Sequence, residues 1–237
     1  MIGPLLIGIS WILLRLQKRT LSELGFNKPR LRLIEFFAGF ALAGAFAASQ
    51  YLFIAYFSDF SWRLNPQLDA HTVIESLRWN INSVLFEELL FRAYLLYKAI
   101  EFLGLKKACL LSSVSFGIYH WFSYDIFGSW IPMIYVFILT ASIGLMLACA
   151  FALTKSIFLP IGLHLAWNVV IIFVFSNGPL GDQLFIASSA EPSKLSTFEQ
   201  IFTSLIIPFI YIGFAFWFMT KILPKLTALE SNSVSKT

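Results

Sequence analysis

The stretch Phe86-Glu87-Glu88-Leu89-Leu90-Phe91-Arg92 places two carboxylates and an arginine inside a mostly apolar run of about twenty residues. Ionisable side chains at membrane depth cost a few kcal/mol each and persist where they face a bundle interior and serve a function. In a helix, Glu88 and Arg92 stand one turn apart on one face, where opposite charges pair. Glu87 points about 100° away from Glu88, so it is left free for chemistry. A structural cluster that neutralises itself is the other interpretation of the same residues.

The composition indicates a membrane protein, because 58% of the 237 residues are hydrophobic and only 13% are charged, against roughly a quarter charged in soluble domains. We predict an all-α, polytopic transmembrane helix bundle of about seven spans. It forms a single domain over residues 1–226, with its motifs within 80–175. The first run is short for a span. The apolar runs lie at 1–16, 33–57, 79–99, 108–127, 130–152, 157–176 and 199–220.

The distribution of positive charge predicts an orientation. Of the 17 Lys and Arg residues, thirteen fall in connections on one side of the predicted bundle and three on the other. The positive-inside rule then places the carboxyl terminus in the cytoplasm and argues against a nucleic-acid footprint. The connections 58–78 and 177–197 carry turn signals and are predicted to be external loops. Residues 227–237, rich in Ser and Thr, predict a disordered cytoplasmic tail.

Further polar residues share the depth of the glutamates. His120 lies in the fourth predicted span, and His164 and Asn168 lie in the sixth, each in the middle third of its span together with Glu87 and Glu88. His164 and Asn168 are four residues apart and share a helix face. Groups on three helices at one depth can meet, so we predict an active site where these helices converge.

These residue types support hydrolytic chemistry in two ways. A buried glutamate can act as a general base on water, assisted by a partner imidazole. An imidazole and an amide on one helix face can donate hydrogen bonds to an oxygen that becomes negative when a carbonyl is attacked. A zinc ion held by Glu87, His120 and His164 is the competing explanation, with its bound water as the nucleophile. The residues alone do not distinguish the two mechanisms.

The three motifs, in this order and on separate helices, resemble those of the CPBP family, also called ABI, which comprises CAAX prenyl proteases of the second type and bacterial relatives linked to bacteriocin processing or self-immunity. The resemblance implies an intramembrane endopeptidase in which Glu87 and His120 activate water. It further implies that His164 and Asn168 stabilise the oxyanion, with Glu88 and Arg92 as a supporting pair. Both a metal mechanism and a glutamate mechanism are proposed for this family, and we favour the latter. The motifs are Glu87-Glu88-x-x-x-Arg92, Phe116-x-x-x-His120 and His164-x-x-x-Asn168.

The resemblance also sets the expected surroundings and partners. We expect a multi-pass protein of the cell membrane, of the bacterial inner-membrane type, that is surrounded by lipid and cleaves a peptide or a membrane protein. Zinc is the only candidate cofactor. A non-catalytic membrane immunity protein on the same scaffold is the alternative function. A proton-coupled transporter is a weaker one, because the two halves of the chain hold no corresponding pair of interrupted helices.

Overall fold

The computed structural model describes residues 2–176 and 178–234, and for residues 229–234 it describes the backbone alone. Helices dominate these residues, as the composition predicts. The α-helices are α1 Ile2–Leu16, α2 Pro29–Phe57, α3 Ala70–Phe91, α4 Tyr94–Leu103, α5 Leu105–Ser123, α6 Trp130–Thr154, α7 Phe158–Asn168, α8 Thr197–Ile201, α9 Ile207–Trp217 and α10 Leu223–Val234. The other elements are the 3₁₀ helix Leu21–Leu24, the π-helical segments Val169–Val174, Phe202–Ile206 and Phe218–Ile222, and the strands β1 Trp62–Leu64 and β2 Phe185–Ala187.

The helix lengths support the membrane assignment but do not fix the number of spans. Within the described part of the chain, three helical stretches are long and apolar enough to cross a bilayer: Leu21–Phe57, Trp130–Thr154 and Thr197–Ala228. The apolar helices Ile2–Leu16 and Phe158–Val174 are shorter. A helix of 15 residues such as α1 is about 22 Å long, whereas the hydrocarbon core is about 30 Å thick. The count of seven spans therefore stays a prediction.

The third predicted span, 79–99, is two helices rather than one. Helix α3 begins at Ala70, inside the stretch predicted as an external loop, where the Asp69 side chain accepts a hydrogen bond from the Thr72 amide at 2.8 Å. It ends at Phe91, and α4 starts at Tyr94. No Pro or Gly marks this break in the sequence, so local signals did not predict it.

The tightest helix contact joins α2 and α7. A Cβ added to Gly162 would lie 2.2 Å from the Phe36 carbonyl oxygen, and one added to Gly39 would lie 3.0 Å from a Leu159 methyl carbon. Small residues at such positions let membrane helices approach closely. On the other side of α7, the Trp167 ring stacks on Tyr211 of α9 with ring centres 4.8 Å apart. Helix α7 is thereby held in the centre of the bundle, with His164 on it.

Connections that were predicted to share a side of the bundle contact each other. Strands β1 and β2, from the two predicted external loops, form an antiparallel pair with Arg63 opposite Ile186. On the opposite side, the Ile157 amide after α6 donates to the Leu24 carbonyl before α2 at 3.1 Å. The sequence predicted both external loops but not their pairing, and residue 177 of the second loop lies outside the described residues.

The first part of the segment predicted as a disordered tail is described as helix. Helix α10 runs from Leu223 to Val234, whereas disorder was predicted from Thr227. A helix that is already formed extends at little cost, since each added residue gains one backbone hydrogen bond. Ala228 and the following leucine and glutamate are good helix formers. Residues 235–237 of the predicted tail lie outside the described residues.

Candidate active site

The carboxylate of Glu88 links two of the three motifs. Its Oε1 accepts a hydrogen bond from Nη1 of Arg92 at 3.0 Å and another from Nδ1 of His164 at 2.7 Å. The Glu88 and Arg92 side chains have no solvent exposure. The pairing of Glu88 with Arg92 agrees with their spacing of one turn. The bond to His164 adds a link between α3 and α7, two helices far apart in the sequence.

The Arg92 guanidinium is packed as well as paired. It lies over the Phe116 ring, with its central carbon 3.9 Å from the ring centre, so a cation–π contact supplements the ion pair. Its Nη2 is 3.5 Å from the Gly144 carbonyl oxygen of α6. A Cβ at Gly144 would lie 2.9 Å from Phe116 and 3.2 Å from Arg92. Gly144 therefore makes room for the arginine, a role for which the sequence holds no signal.

Glu87 points away from Glu88, as predicted, and faces both imidazoles. Its Oε2 lies 3.7 Å from Nε2 of His164 and 4.0 Å from Nε2 of His120. This oxygen is buried and has no hydrogen-bond partner among the described residues. The Ser83 hydroxyl, one turn earlier on α3, is within hydrogen-bonding reach of the Glu87 carboxylate. The i, i+4 spacing could have identified Ser83 from the sequence.

Hydrogen bonds on the far side of each ring set the histidine tautomers. Nδ1 of His120 is 2.8 Å from the Phe116 carbonyl oxygen, which can only accept. Nδ1 of His164 likewise donates to the Glu88 carboxylate. When the rings are neutral, the proton of each therefore sits on Nδ1, and each Nε2 presents a lone pair towards Glu87.

His120 and Asn168 both lie near the carboxyl-terminal ends of their helices. His120 lies in the last turn of α5, which ends at Ser123, whereas the predicted span continues to residue 127. Asn168 ends α7, one turn after His164. It lines a cavity of about 130 Å³ together with His120 and His164. Most of the cavity wall is apolar or aromatic, and Glu87 does not line it.

The geometry also tests the predicted zinc ligands. Tetrahedral ligands bound at 2.0–2.2 Å stand roughly 3.4 Å apart, whereas the two nitrogen–oxygen separations here are 3.7 and 4.0 Å. Among residues 2–176 and 178–234, no three His, Cys, Asp or Glu side chains are placed to hold one ion. The zinc site stays a prediction, in which these separations would shorten slightly on binding.

Comparison with known proteins shows one similarity to a described family. A family model described as Type II CAAX prenyl endopeptidase Rce1-like matches residues 69–170. The matched range contains Glu87, Glu88, Arg92, His120, His164 and Asn168. Searches of curated proteins and of solved structures each give no significant match.

Proposed function

We propose that the chain is an intramembrane endopeptidase that hydrolyses a peptide bond without a covalent intermediate, because a family model of Type II CAAX prenyl endopeptidases matches residues 69–170. The family is a protease family, and the helices are those of a membrane protein. The observation that carries the mechanism is the unpaired Oε2 of Glu87, 3.7 and 4.0 Å from the two imidazole nitrogens.

Glu87 and His120 activate the water. Two acceptors face each other here, namely Oε2 of Glu87 and the Nε2 lone pair of His120, and their separation of 4.0 Å is too long for a direct hydrogen bond. A water molecule donates two hydrogen bonds and so satisfies both acceptors at once. Glu87 takes the proton of this water as its oxygen attacks the scissile carbonyl, and later gives that proton to the leaving amine nitrogen.

His164 and Asn168 stabilise the oxyanion. Nε2 of His164 can donate a hydrogen bond only when the ring carries both protons. The Glu88 carboxylate, 2.7 Å from Nδ1, stabilises that charged ring in the way an aspartate stabilises the histidine of a serine-protease triad. The Asn168 amide lines the same cavity and supplies a second donor. Arg92 in turn fixes the Glu88 carboxylate, which makes Arg92 a positioning residue.

The substrate is a peptide segment that enters the cavity between α5, α6 and α7. The cavity wall contains Phe116, Tyr124, Leu139, Trp167 and Tyr211, so it favours an apolar substrate from the membrane. A prenylated peptide with a carboxyl-terminal CAAX sequence is the first substrate to test, since the matched family is described by that activity.

Cleavage by purified variants tests the proposal. We expect Glu87→Ala and His120→Ala to abolish cleavage of a fluorogenic prenyl-CAAX peptide in nanodiscs. Glu75→Ala, which removes an exposed carboxylate from the same helix, serves as the control and should cleave at the wild-type rate. Cleavage at the normal rate by either site variant would overturn the mechanism.

Two further measurements separate the competing proposals. The glutamate mechanism predicts that cleavage persists after dialysis against a strong zinc chelator, whereas loss of cleavage that zinc restores would establish the metal mechanism. If the chain instead confers resistance to a bacteriocin, resistance that survives Glu87→Gln would favour the non-catalytic immunity protein.

A further inference from the structure

A polar stripe runs along α3 towards Glu87. Ser76, Asn80, Ser83 and Glu87 are spaced by four, three and four residues. At 3.6 residues per turn, these four positions fall within about 60° of one another around the helix axis. The stripe begins near the connections that carry β1 and β2 and ends at the Glu87 carboxylate.

The first two members of the stripe are buried without full hydrogen bonding. Ser76 is 2% exposed and Asn80 is 1% exposed. Within the described part of the chain, neither the Ser76 hydroxyl nor the Asn80 amide oxygen has a hydrogen-bond partner. Asn80 does donate from Nδ2 to the Ser76 carbonyl at 2.9 Å, which holds the amide in place. A buried polar atom left unpaired is destabilising, so two adjacent ones indicate a ligand that pairs with them.

A small cavity lies against these two side chains. It has a volume of about 10 Å³ and is lined by Ser76, Trp79, Asn80, Phe173 and Asp182, among others. That volume is at the lower limit for a single water molecule, and a water needs two to four polar partners to stay in such a site. The Ser76 hydroxyl, the Asn80 oxygen and Asp182 supply them, and Asp182 lies in the connection between α7 and β2.

We propose that this stripe binds a file of water molecules through which the hydrolytic water reaches Glu87 from the side of the β1–β2 pair. Successive members of the stripe are about 6.0, 4.5 and 6.0 Å apart along the helix axis, at 1.5 Å per residue. One water that makes two hydrogen bonds spans about 5.6 Å. Rises of about 4.5–6.0 Å are comparable with this span, so one water is assigned to each step, and Ser83 hands the last one to the Glu87 carboxylate.

The role of this path rests on the proposed hydrolysis, because each turnover consumes one water inside an apolar bundle. The substrate cavity is lined mainly by apolar groups and is occupied by the substrate during the reaction. Water that arrives along α3 reaches Glu87 from the side that the substrate does not fill. The file itself exists whether or not the protein is a protease, so it can be tested without an activity assay.

Radiolytic hydroxyl-radical labelling of the full chain in nanodiscs tests the file directly. Radicals formed from a bound water modify the side chains that touch it, so we expect labelling of Phe173 although it is only 3% exposed. Met146 is fully buried in the apolar core and is chemically the more easily oxidised side chain, so it should stay unlabelled. Phe173 as protected as Met146 would overturn the proposal.

Matched variants identify the polar atoms that hold the water. Asn80→Leu should remove the labelling of Phe173, whereas Asn82→Leu, the same change on the same helix but off the stripe, should retain it. Ser76→Ala gives a second, milder test if Asn80→Leu unfolds in a thermal scan. Equal labelling of Phe173 in the wild type, Asn80→Leu and Ser76→Ala would overturn the proposal.

Kinetics then link the file to catalysis. Asn80→Leu should lower kcat for the prenyl-CAAX peptide without raising KM, because water delivery changes and substrate binding does not. An unchanged kcat after loss of Phe173 labelling would overturn delivery to Glu87. A wild-type protein that labels at Phe173 but cleaves no peptide would overturn the proposed protease while leaving the bound water established.

Discussion

His164 of α7 donates a hydrogen bond from Nδ1 to the Glu88 carboxylate of α3 at 2.7 Å. The same carboxylate oxygen accepts from Arg92 at 3.0 Å. One buried anion therefore fixes the tautomer of a histidine on another helix and balances an arginine one turn away on the chain. The consequences of this arrangement, and of the glutamate beside it, can be measured.

Breaking the buried ion pair should destabilise the fold. Arg92→Met leaves the Glu88 carboxylate without its cation, and we expect the free energy of unfolding to fall by about 3–5 kcal/mol. Adding Glu88→Gln to this variant should restore part of the loss, because the uncompensated charge is removed. Denaturant titration in mixed micelles of Arg92→Met, Glu88→Gln and the double variant completes this double-mutant cycle.

The control for this cycle is Arg78→Met, which breaks the exposed pair between Arg78 and Glu75. Such surface pairs contribute about 0–1 kcal/mol. An Arg92→Met loss no larger than the Arg78→Met loss would show that the buried pair does not hold α3 in the bundle.

Glu87→Gln should separate stability from activity. Because Oε2 of Glu87 has no hydrogen-bond partner within the described residues, the amide loses no bond, and we expect an unfolding temperature at or above that of the wild type. Loss of the general base should lower kcat by about 10²–10⁴-fold. Thermal unfolding and peptide cleavage on one preparation check both values, and a large drop in unfolding temperature would mark Glu87 as a structural residue.

Asn168→Ala should reduce catalysis with little effect on the fold. Removing one oxyanion donor typically costs about 10²–10³-fold in kcat, and KM should stay near its wild-type value because the lost bond forms mainly in the transition state. Steady-state kinetics measure the effects on kcat and on KM separately. A change confined to KM would place Asn168 in substrate binding instead.

Gly162→Ala should disturb the packing that holds His164. The added Cβ would lie 2.2 Å from the Phe36 carbonyl oxygen, a backbone atom that cannot turn aside, and overpacking of this kind costs about 1–3 kcal/mol. We expect a lower unfolding temperature and a lower kcat together. Gly44→Ala on α2 is the control, since its Cβ would meet only Ala166 at an ordinary 3.7 Å, and a comparable loss there would argue against a specific role of Gly162.

Local sequence patterns were sufficient to predict the all-helical fold class and one contact of the site, the pairing of Glu88 with Arg92. The apolar runs predict membrane helices, and the spacing of Glu88 and Arg92 predicts their pairing, because residues four apart on a helix are always neighbours. The same rule correctly directs Glu87 away from Glu88. The order of the three motifs predicted a resemblance to CAAX proteases, and the family model that matches residues 69–170 confirms this resemblance.

Element boundaries depended on contacts that the sequence does not display. The break after Phe91 has no Pro or Gly to announce it, and the last helix extends past Thr227 because helix propagation outweighs a polar composition. The position of His120 in the final turn of α5 follows from such a boundary. An error of three or four residues moves a side chain by a full turn, so depth counted from apolar runs is only approximate.

The set of polar side chains that must face the bundle interior follows from local sequence patterns, because an unpaired charge is costly in lipid and helical periodicity is local. How those side chains share partners depends on the packing of whole helices. The packing of α7 against α2 and α3 brings His164 to Glu88, 76 residues away in the chain, and the Phe116 carbonyl fixes His120. Such contacts depend on how closely whole helices approach, which is set by small residues such as Gly162 and Gly144 acting on distant parts of the chain.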